Sequence, residues 1–169
     1  MENPGIAAVF MADKAEIDPK LAALVATLAA EGWRVAGLLQ TRSSCGDMAV
    51  CELVSGQVFG IAQNLGPAAQ GCKLDPRGLA EAAGAALGGL QSGADLLVIP
   101  RFGQAEAEGH GVRAVIEQAC QIGVPVLVAV REGHAPAWER FAGGLAKTLP
   151  ADLPALLTWC RRARAAARA

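Results

Sequence analysis

The side chains best suited to chemistry fall between Arg101 and Gly111, in the stretch Arg-Phe-Gly-Gln-Ala-Glu-Ala-Glu-Gly-His-Gly. Arg101 offers a planar guanidinium fork that matches a carboxylate, a phosphate or another oxyanion. The competing partner for it is a carboxylate of the chain itself: Glu106, Glu108 or Asp13. Glu106 and Glu108 stand two apart, so on a helix they diverge and only one of them faces a site. Glu108 reads as solvated surface. His110 has the chemistry of a proton carrier or metal ligand, against that of an ordinary loop residue or helix cap. Immediately upstream, Leu96–Pro100 is a short apolar run that follows a Gly-Ala-Asp turn and stops at Arg101-Phe102-Gly103. Such a run suits a strand buried on both faces. Polar, Gly-rich chain just after a buried strand is where open α/β sheets place their ligands. The floor of a site is therefore predicted here, with Gly103 as part of it.

Further candidates lie around a predicted hairpin. Cys45, Cys51 and Cys72, with Met48, have the softness for a thiophilic metal. Their spacing matches no standard site, and Cys51 alternates with Ala49 and Leu53 like a packed strand residue. No metal site is assigned. Cys72, between Gly71 and Lys73, is the cysteine best placed to touch a ligand. Asp47, Asn64 and Lys73 occupy loops from which they can add polar contacts. Asp75 reads as a helix cap, Gly66 and Gly71 as turn residues, and Cys120 and Cys160 as core. His134 lies in a similar loop with nothing to single it out. Trp33, Trp138 and Trp159 read as packing or subunit contacts.

The familiar nucleotide signatures are missing. A phosphate-cradling loop requires Gly-x-x-x-x-Gly-Lys-Ser/Thr after the first strand, so that backbone amides and a lysine reach the phosphates. The corresponding segment here reads Met-Ala-Asp-Lys-Ala-Glu-Ile-Asp-Pro-Lys. It has no glycine, three carboxylates that repel a triphosphate, and a proline that removes an amide. The dinucleotide fingerprint, Gly-x-Ser-x-Gly, Cys-x-x-Cys and His-Glu-x-x-His are absent too.

The elements that must position these residues alternate along the chain. Ile6–Met11 reads as a strand and Ala12–Pro19 as a loop. Asp18-Pro19 reads as a helix start, with Asp as N-cap and Pro at the first helical position. Leu21, Leu24, Val25 and Leu28 recur at helical spacing up to Gly32. Arg34–Gln40 returns as a strand, so a right-handed βαβ unit is expected. Thr41–Asp47 reads as a loop. Met48–Val54 and Gln57–Gln63 flank Ser55-Gly56 as a hairpin with a two-residue connection. Asn64–Lys73 follows as a loop, and Asp75-Pro76 opens a helix to about Gln91. After the central strand come a helix near Val112–Gln121 closed by Gly123, a strand at Val124–Val130 and a helix at Pro136–Leu145. A short extended piece at Lys147–Leu149 precedes a last helix from Asp152 to about Ala166. Neither a linker nor a repeat interrupts the pattern, so residues 1–169 are read as a single three-layer α/β/α domain with a mostly parallel sheet and a β-hairpin insertion.

Composition sets the outer bounds. Of 169 residues, 53% are hydrophobic and 18% charged, yet no apolar run reaches the length a membrane span needs. Five cysteines without regular spacing suit a reducing cytoplasm better than a disulfide framework. No secretory signal is evident at the N-terminus. Arg161, Arg162, Arg164 and Arg168 lie in the last nine residues. Subtracting these four from the net charge of −1 leaves −5 for the remainder. A nucleic-acid binder shows a basic face within its fold. Here the basic residues collect in an Ala/Arg tail (residues 161–169) that reads as the solvated end of a helix.

Taken together, Arg34–Gln40, Asp47-Met48, Gln63–Gly66 (QNLG), Gly71–Asp75 (GCKLD), Arg101–Gly109 (RFGQAEAEG) and Val124–Val130 carry a resemblance. From about residue 5 to 160 the chain resembles an uncharacterised bacterial family, a domain of unknown function. Its members are often encoded beside molybdate-transport genes and are sometimes labelled as that transporter's ATP-binding subunit. More remotely, the chain is similar to small P-loop nucleoside-triphosphatases, in which the strand aligned with Leu96–Pro100 ends in Mg²⁺-holding carboxylates. The resemblance implies a P-loop-NTPase-like fold with a degenerate P-loop, favours Glu106 over Glu108, and implies a molybdate-like ligand.

The expectation is a non-hydrolysing cytoplasmic binding or accessory protein for a small anion, without nucleic acid or membrane insertion. Arg101 would supply the charge, and Gly103, Glu106, Asn64, Lys73, Cys72, Asp47 and His110 would complete the site. No cofactor is assigned, and the Ala-rich helices suit a homodimer. Two alternatives remain open: a divergent nucleotide hydrolase or transferase using Glu106 or His110, and a protein-interaction module without a small ligand.

Overall fold

A computed structural model describes residues 5–12, 17–44, 46–63 and 73–168, with the side chains of Gln63 and Lys73 excepted. In chain order the elements are β1 (Ile6–Met11), α1 (Ile17–Ala30), β2 (Val35–Arg42), β3 (Met48–Glu52), β4 (Val58–Gly60), β5 (Ala62–Gln63) and β6 (Lys73–Leu74). They continue with α2 (Pro76–Gln91), β7 (Leu96–Phe102), α3 (Gln104–Ala107), α4 (Arg113–Ile122), β8 (Val126–Arg131), α5 (Ala135–Ala142), β9 (Ala146–Thr148) and α6 (Leu153–Ala167). Seven strands form one sheet in the order β4-β3-β2-β7-β8-β1-β9. The five strands from β2 to β9 run parallel, and the β3–β4 hairpin extends the β2 edge antiparallel. β5 and β6 make a separate two-stranded ribbon.

Both faces of the sheet are covered, and this is why β7 and β8 read as unbroken apolar runs. On one face Leu97, Ile99, Phe102, Val128 and Val130 pack against Ala82, Ala86 and Leu90 of α2, Ile116 of α4 and Trp138 of α5. On the other, Val9, Leu96, Val98 and Leu127 pack against Leu21, Leu24 and Leu28 of α1 and Leu156 and Cys160 of α6. Burying these large side chains removes apolar area worth about 25 cal/mol per Å² from water, which drives the layers together. The expected three-layer sandwich is present.

Local boundaries differ in informative ways. Asp18 does not cap α1 but lies inside its first turn. Asp75 and Asp152 do act as N-caps, accepting from Arg77 N and Ala155 N, with proline following each. The predicted loop Thr41–Asp47 is shorter, because Thr41 and Arg42 pair with Ala49 and Met48. The hairpin connection is wider than two residues. Glu52 ends β3, and its buried carboxylate accepts the N–H groups of Val54 (2.7 Å) and Ser55 (2.9 Å), turning the chain early. Lys73 belongs to a ribbon rather than a loop. Gly123 and Gly143 close α4 and α5 in the left-handed conformation that glycine takes without strain.

As expected, the Ala/Arg tail is the exposed end of a helix, but its arginines are not all without partners. It continues α6, and three of its arginines are docked: Arg161 on Glu31 (2.8 Å), Arg168 on Asp95 (2.8 Å), and Arg164 beside Asp95 and over the Trp33 ring at 4.3 Å.

Candidate functional site

The parallel strands β1, β2, β7 and β8 all end on the same side, and Arg101 stands at that edge. Strand β7 does not stop before Arg101 as expected but runs on through Phe102. A register shift makes this possible: Ile99 pairs with Val128 and Phe102 with Val130, so β7 holds one extra residue. Pro100 lies in that bulge, where its missing N–H costs no ladder bond. The extra residue reverses the alternation of side chains. Phe102 drops into the core against Trp138, ring centroids 5.2 Å apart, and Arg101 turns to the opposite face, toward α1.

There Arg101 meets Asp18. Nη1 and Nη2 donate to Oδ1 and Oδ2 at 2.7 and 2.8 Å, a bidentate fork, and Nη1 also bonds Pro100 O at 2.7 Å. The two side chains keep 20% and 27% of their exposure, so the pair is half-buried and reachable from solvent. Charge-assisted bidentate pairs of this kind are among the strongest polar contacts a protein makes. The carboxylate in the first turn of α1 is also stabilised by the positive end of the helix. Sequence reasoning had placed Asp18 as a cap, and so missed the partner of Arg101. Proline within an otherwise buried strand was the available signal for the bulge that joins them.

Glu106 behaves differently from the expected ligand group. Its side chain is 4% exposed and turned inward. Oε1 accepts from Gly103 N at 2.9 Å and Oε2 from Val112 N at 3.0 Å, so one carboxylate ties the start of α3 to the start of α4. Burial pushes its carboxyl above the ordinary value of 4.5, while the two amides pull it back. Gly111, at φ +63, passes so close that a Cβ there would lie 1.8 Å from Oε2. The Arg101–Gly111 stretch is thus a clamped connection, and Glu106 is the clamp.

The remaining candidates are spread around the same edge. Gly103 caps α3 with extended backbone. His110 is exposed, its backbone N–H bonded to Ala105 O at 2.8 Å. Glu108 is exposed, as expected, and accepts from Gln104. Asp47 is exposed on the β2–β3 connection, held through its backbone by Ser43. Asn64, Cys72, Cys45 and Asp13 lie outside the described residues, as does the side chain of Lys73. The structure thus turns Arg101 toward α1 and Glu106 into the α3–α4 connection, while His110 and Asp47 stand exposed on the loops that follow β7 and β2. Among the described residues no group of three or more His, Cys, Asp or Glu side chains is arranged to hold a metal ion. Cys51 is half-buried, and its thiol points at the Glu52 and Gly56 carbonyls. Two surface grooves, of about 510 and 410 Å³, lie away from this edge, beside β9 and at the start of β2.

A family model described as "Protein of unknown function (DUF2478)" matches residues 6–159. The chain belongs to this family. Among curated proteins it is similar to the molybdenum import ATP-binding protein ModC 2 of Bradyrhizobium diazoefficiens, with 34% identity over 161 residues. That match covers 92% of this chain but only 18% of the relative, so the chain spans less than a fifth of that protein. Among solved structures it resembles THEP1 from the hyperthermophile Aquifex aeolicus, with a TM-score of 0.57 at 12% identity. The alignment covers 85% of this chain and 87% of THEP1, and it establishes a P-loop-NTPase-like fold. No helix among the described residues is long and apolar enough to cross a membrane.

Proposed function

We propose that this family member is a non-hydrolysing cytoplasmic accessory module that binds a small oxyanion on the Arg101 fork, with a degenerate phosphate-binding loop. The observation that carries the reading is the bidentate Arg101–Asp18 pair at a half-buried strand end. A guanidinium held in that geometry is organised for two oxygens of one ligand, and the Asp18 carboxylate stands where an oxyanion would sit. Hydrolysis is disfavoured by Glu106, whose two oxygens are engaged by backbone amides rather than presented to water or Mg²⁺. Gly103, Asp47, His110, Asn64, Lys73 and Cys72 are the residues proposed to add contacts. Molybdate is the first ligand to try, because a relative is named for molybdenum import.

Calorimetric titration of wild type, Arg101→Ala and Asp18→Asn with molybdate, tungstate, sulfate, phosphate and ATP with and without Mg²⁺ tests this. An anion that competes with Asp18 binds wild type, is lost in Arg101→Ala, and binds Asp18→Asn about tenfold more tightly, because the internal competitor is gone. Equal binding by wild type and Arg101→Ala overturns the assignment. Mg²⁺-dependent ATP turnover abolished by Glu106→Gln would establish the hydrolase alternative instead.

A further inference from the structure

The open edge of β9 suggests a second binding function, independent of the strand-end site. Among the described residues β9 is the last strand of the sheet and pairs only with β1, Ala146 through Thr148 lying beside Ile6 through Ala8. Leu149 N bonds Ala8 O at 2.9 Å, so the odd-numbered residues turn their backbone groups to β1. Those of Ala146 and Thr148 alternate to the open side. Along this edge runs the groove of about 510 Å³ between β9 and α6, floored by Leu149, Trp159 and Ala163 and flanked by Lys147 and Arg162.

Its charge is distinctive. Three other arginines of the α6 end, Arg161, Arg164 and Arg168, lie beside the carboxylates of Glu31 and Asp95. Neither Lys147 nor Arg162 pairs with a carboxylate among the described residues, and both are exposed. Asp152, the one acidic residue lining the groove among the described residues, is turned to the Ala155 amide as the cap of α6. Two cations without a carboxylate partner among the described residues, beside an aromatic floor and a free sheet edge on the same face, suit an extended segment whose groove-facing positions carry both carboxylates and an apolar residue. A second copy of this chain is disfavoured, because antiparallel pairing of two β9 edges would set Lys147 near its own image.

We infer that β9 and α6 form a docking groove in which an acidic segment of a partner protein, carrying Glu, an apolar residue and Glu at successive groove-facing positions, adds as an eighth strand. The backbone of Ala146 and Thr148 supplies the ladder bonds, Trp159 and Ala163 receive apolar side chains, and Lys147 and Arg162 pair with the carboxylates. Recognition of this kind leaves the Arg101 fork untouched.

The test uses the full chain and fluorescein-labelled peptides: the heptamers Thr-Glu-Thr-Val-Thr-Glu-Thr and Thr-Glu-Thr-Leu-Thr-Glu-Thr, whose Glu and apolar residues share one face, their Lys counterparts, and versions with proline at alternate Thr positions. Fluorescence anisotropy is followed for wild type, Arg162→Glu, Lys147→Glu and Thr148→Pro. The Thr148 N–H faces outward, so its loss leaves the β1 ladder intact, and an unchanged Tm verifies that the variant folds. The acidic heptamers bind wild type, and each variant weakens them by about tenfold or more. The basic and proline-interrupted peptides do not bind. No binding by any acidic heptamer overturns the inference. So does binding indifferent to Thr148→Pro, which would leave only a charged surface, or a wild-type dimer in sedimentation that Thr148→Pro dissociates.

Discussion

Replacing Gly111 by alanine should cost far more than the same change two residues earlier. At Gly111, φ +63 imposes about 1 kcal/mol on any residue with a Cβ. The added atom would also lie 1.8 Å from Glu106 Oε2 and 2.8 Å from its Cδ, in a connection where the carboxylate is walled in. The carboxylate must leave, stripping acceptors from the N–H groups of Gly103 and Val112. Each buried donor left unpaired costs about 1–3 kcal/mol. The expected loss is therefore about 3–7 kcal/mol, a large part of a typical domain's stability. At Gly109, φ is +92 but the nearest atom to a Cβ is Arg113 Nη1 at 3.9 Å, so only the conformational cost of about 1–2 kcal/mol applies. Urea unfolding at pH 7 reads the difference, with the midpoint of Gly111→Ala about 1.5–3.5 M below wild type for an m-value of about 2 kcal/mol/M. In a Glu106→Ala background the Gly111 change should fall to the Gly109 value, because the clamp it disrupts is already gone. Equal costs at Gly109 and Gly111, or no coupling to Glu106, would refute the reasoning.

The other predictions concern protonation, the sheet and the thiols. Because burial raises the Glu106 carboxyl in the folded state, the fold binds its proton more tightly than the unfolded chain does. Its contribution to stability therefore declines as pH rises from about 4.5 through the raised value. Subtracting the pH-stability curve of Glu106→Gln from that of wild type should reveal this negative slope; a rising difference would show that the amides outweigh desolvation. Gly37→Ala should abolish soluble expression, because a Cβ there would lie 2.0 Å from Val98 O across the β2–β7 pair, with φ +118 adding strain. Purification of a folded protein with wild-type Tm would contradict that. Burial pushes the Cys160 thiol up to about 12, so it should resist iodoacetamide at pH 8 in the native state and react on unfolding. Mass mapping of native labelling should find Cys51 and Cys120 modified before it.

What could be read in advance depended on how local its cause was. Asp75-Pro76 and Asp152 announced α2 and α6 because a cap is made by residues within one turn of each other. The apolar runs of β7 and β8 were visible because both faces of a central strand are covered. The site was legible only in outline. Arg101 was recognisable by its chemistry, but its partner comes from 83 positions away and depends on a one-residue bulge that reverses the side-chain alternation. Glu106 and Glu108 look alike in sequence, and only the fold buries one and exposes the other. The arginines of α6 looked like a solvated tail because Glu31 and Asp95, which hold them, are distant in the chain.

The place of β1 in the sheet has a consequence for how the molecule is made. Its neighbours, β8 and β9, both come from beyond residue 125, so every ladder bond of β1 closes a loop of more than a hundred residues. During synthesis the segment Ile-Ala-Ala-Val-Phe-Met is made more than a hundred residues before its partners and waits, apolar and unpaired, until they are added. The order β2, β7, β8 can assemble without it, leaving a slot in the sheet that β1 enters last. Contacts this far apart in sequence make for slow folding, and an apolar strand held open for that time is where aggregation of newly made chains would start.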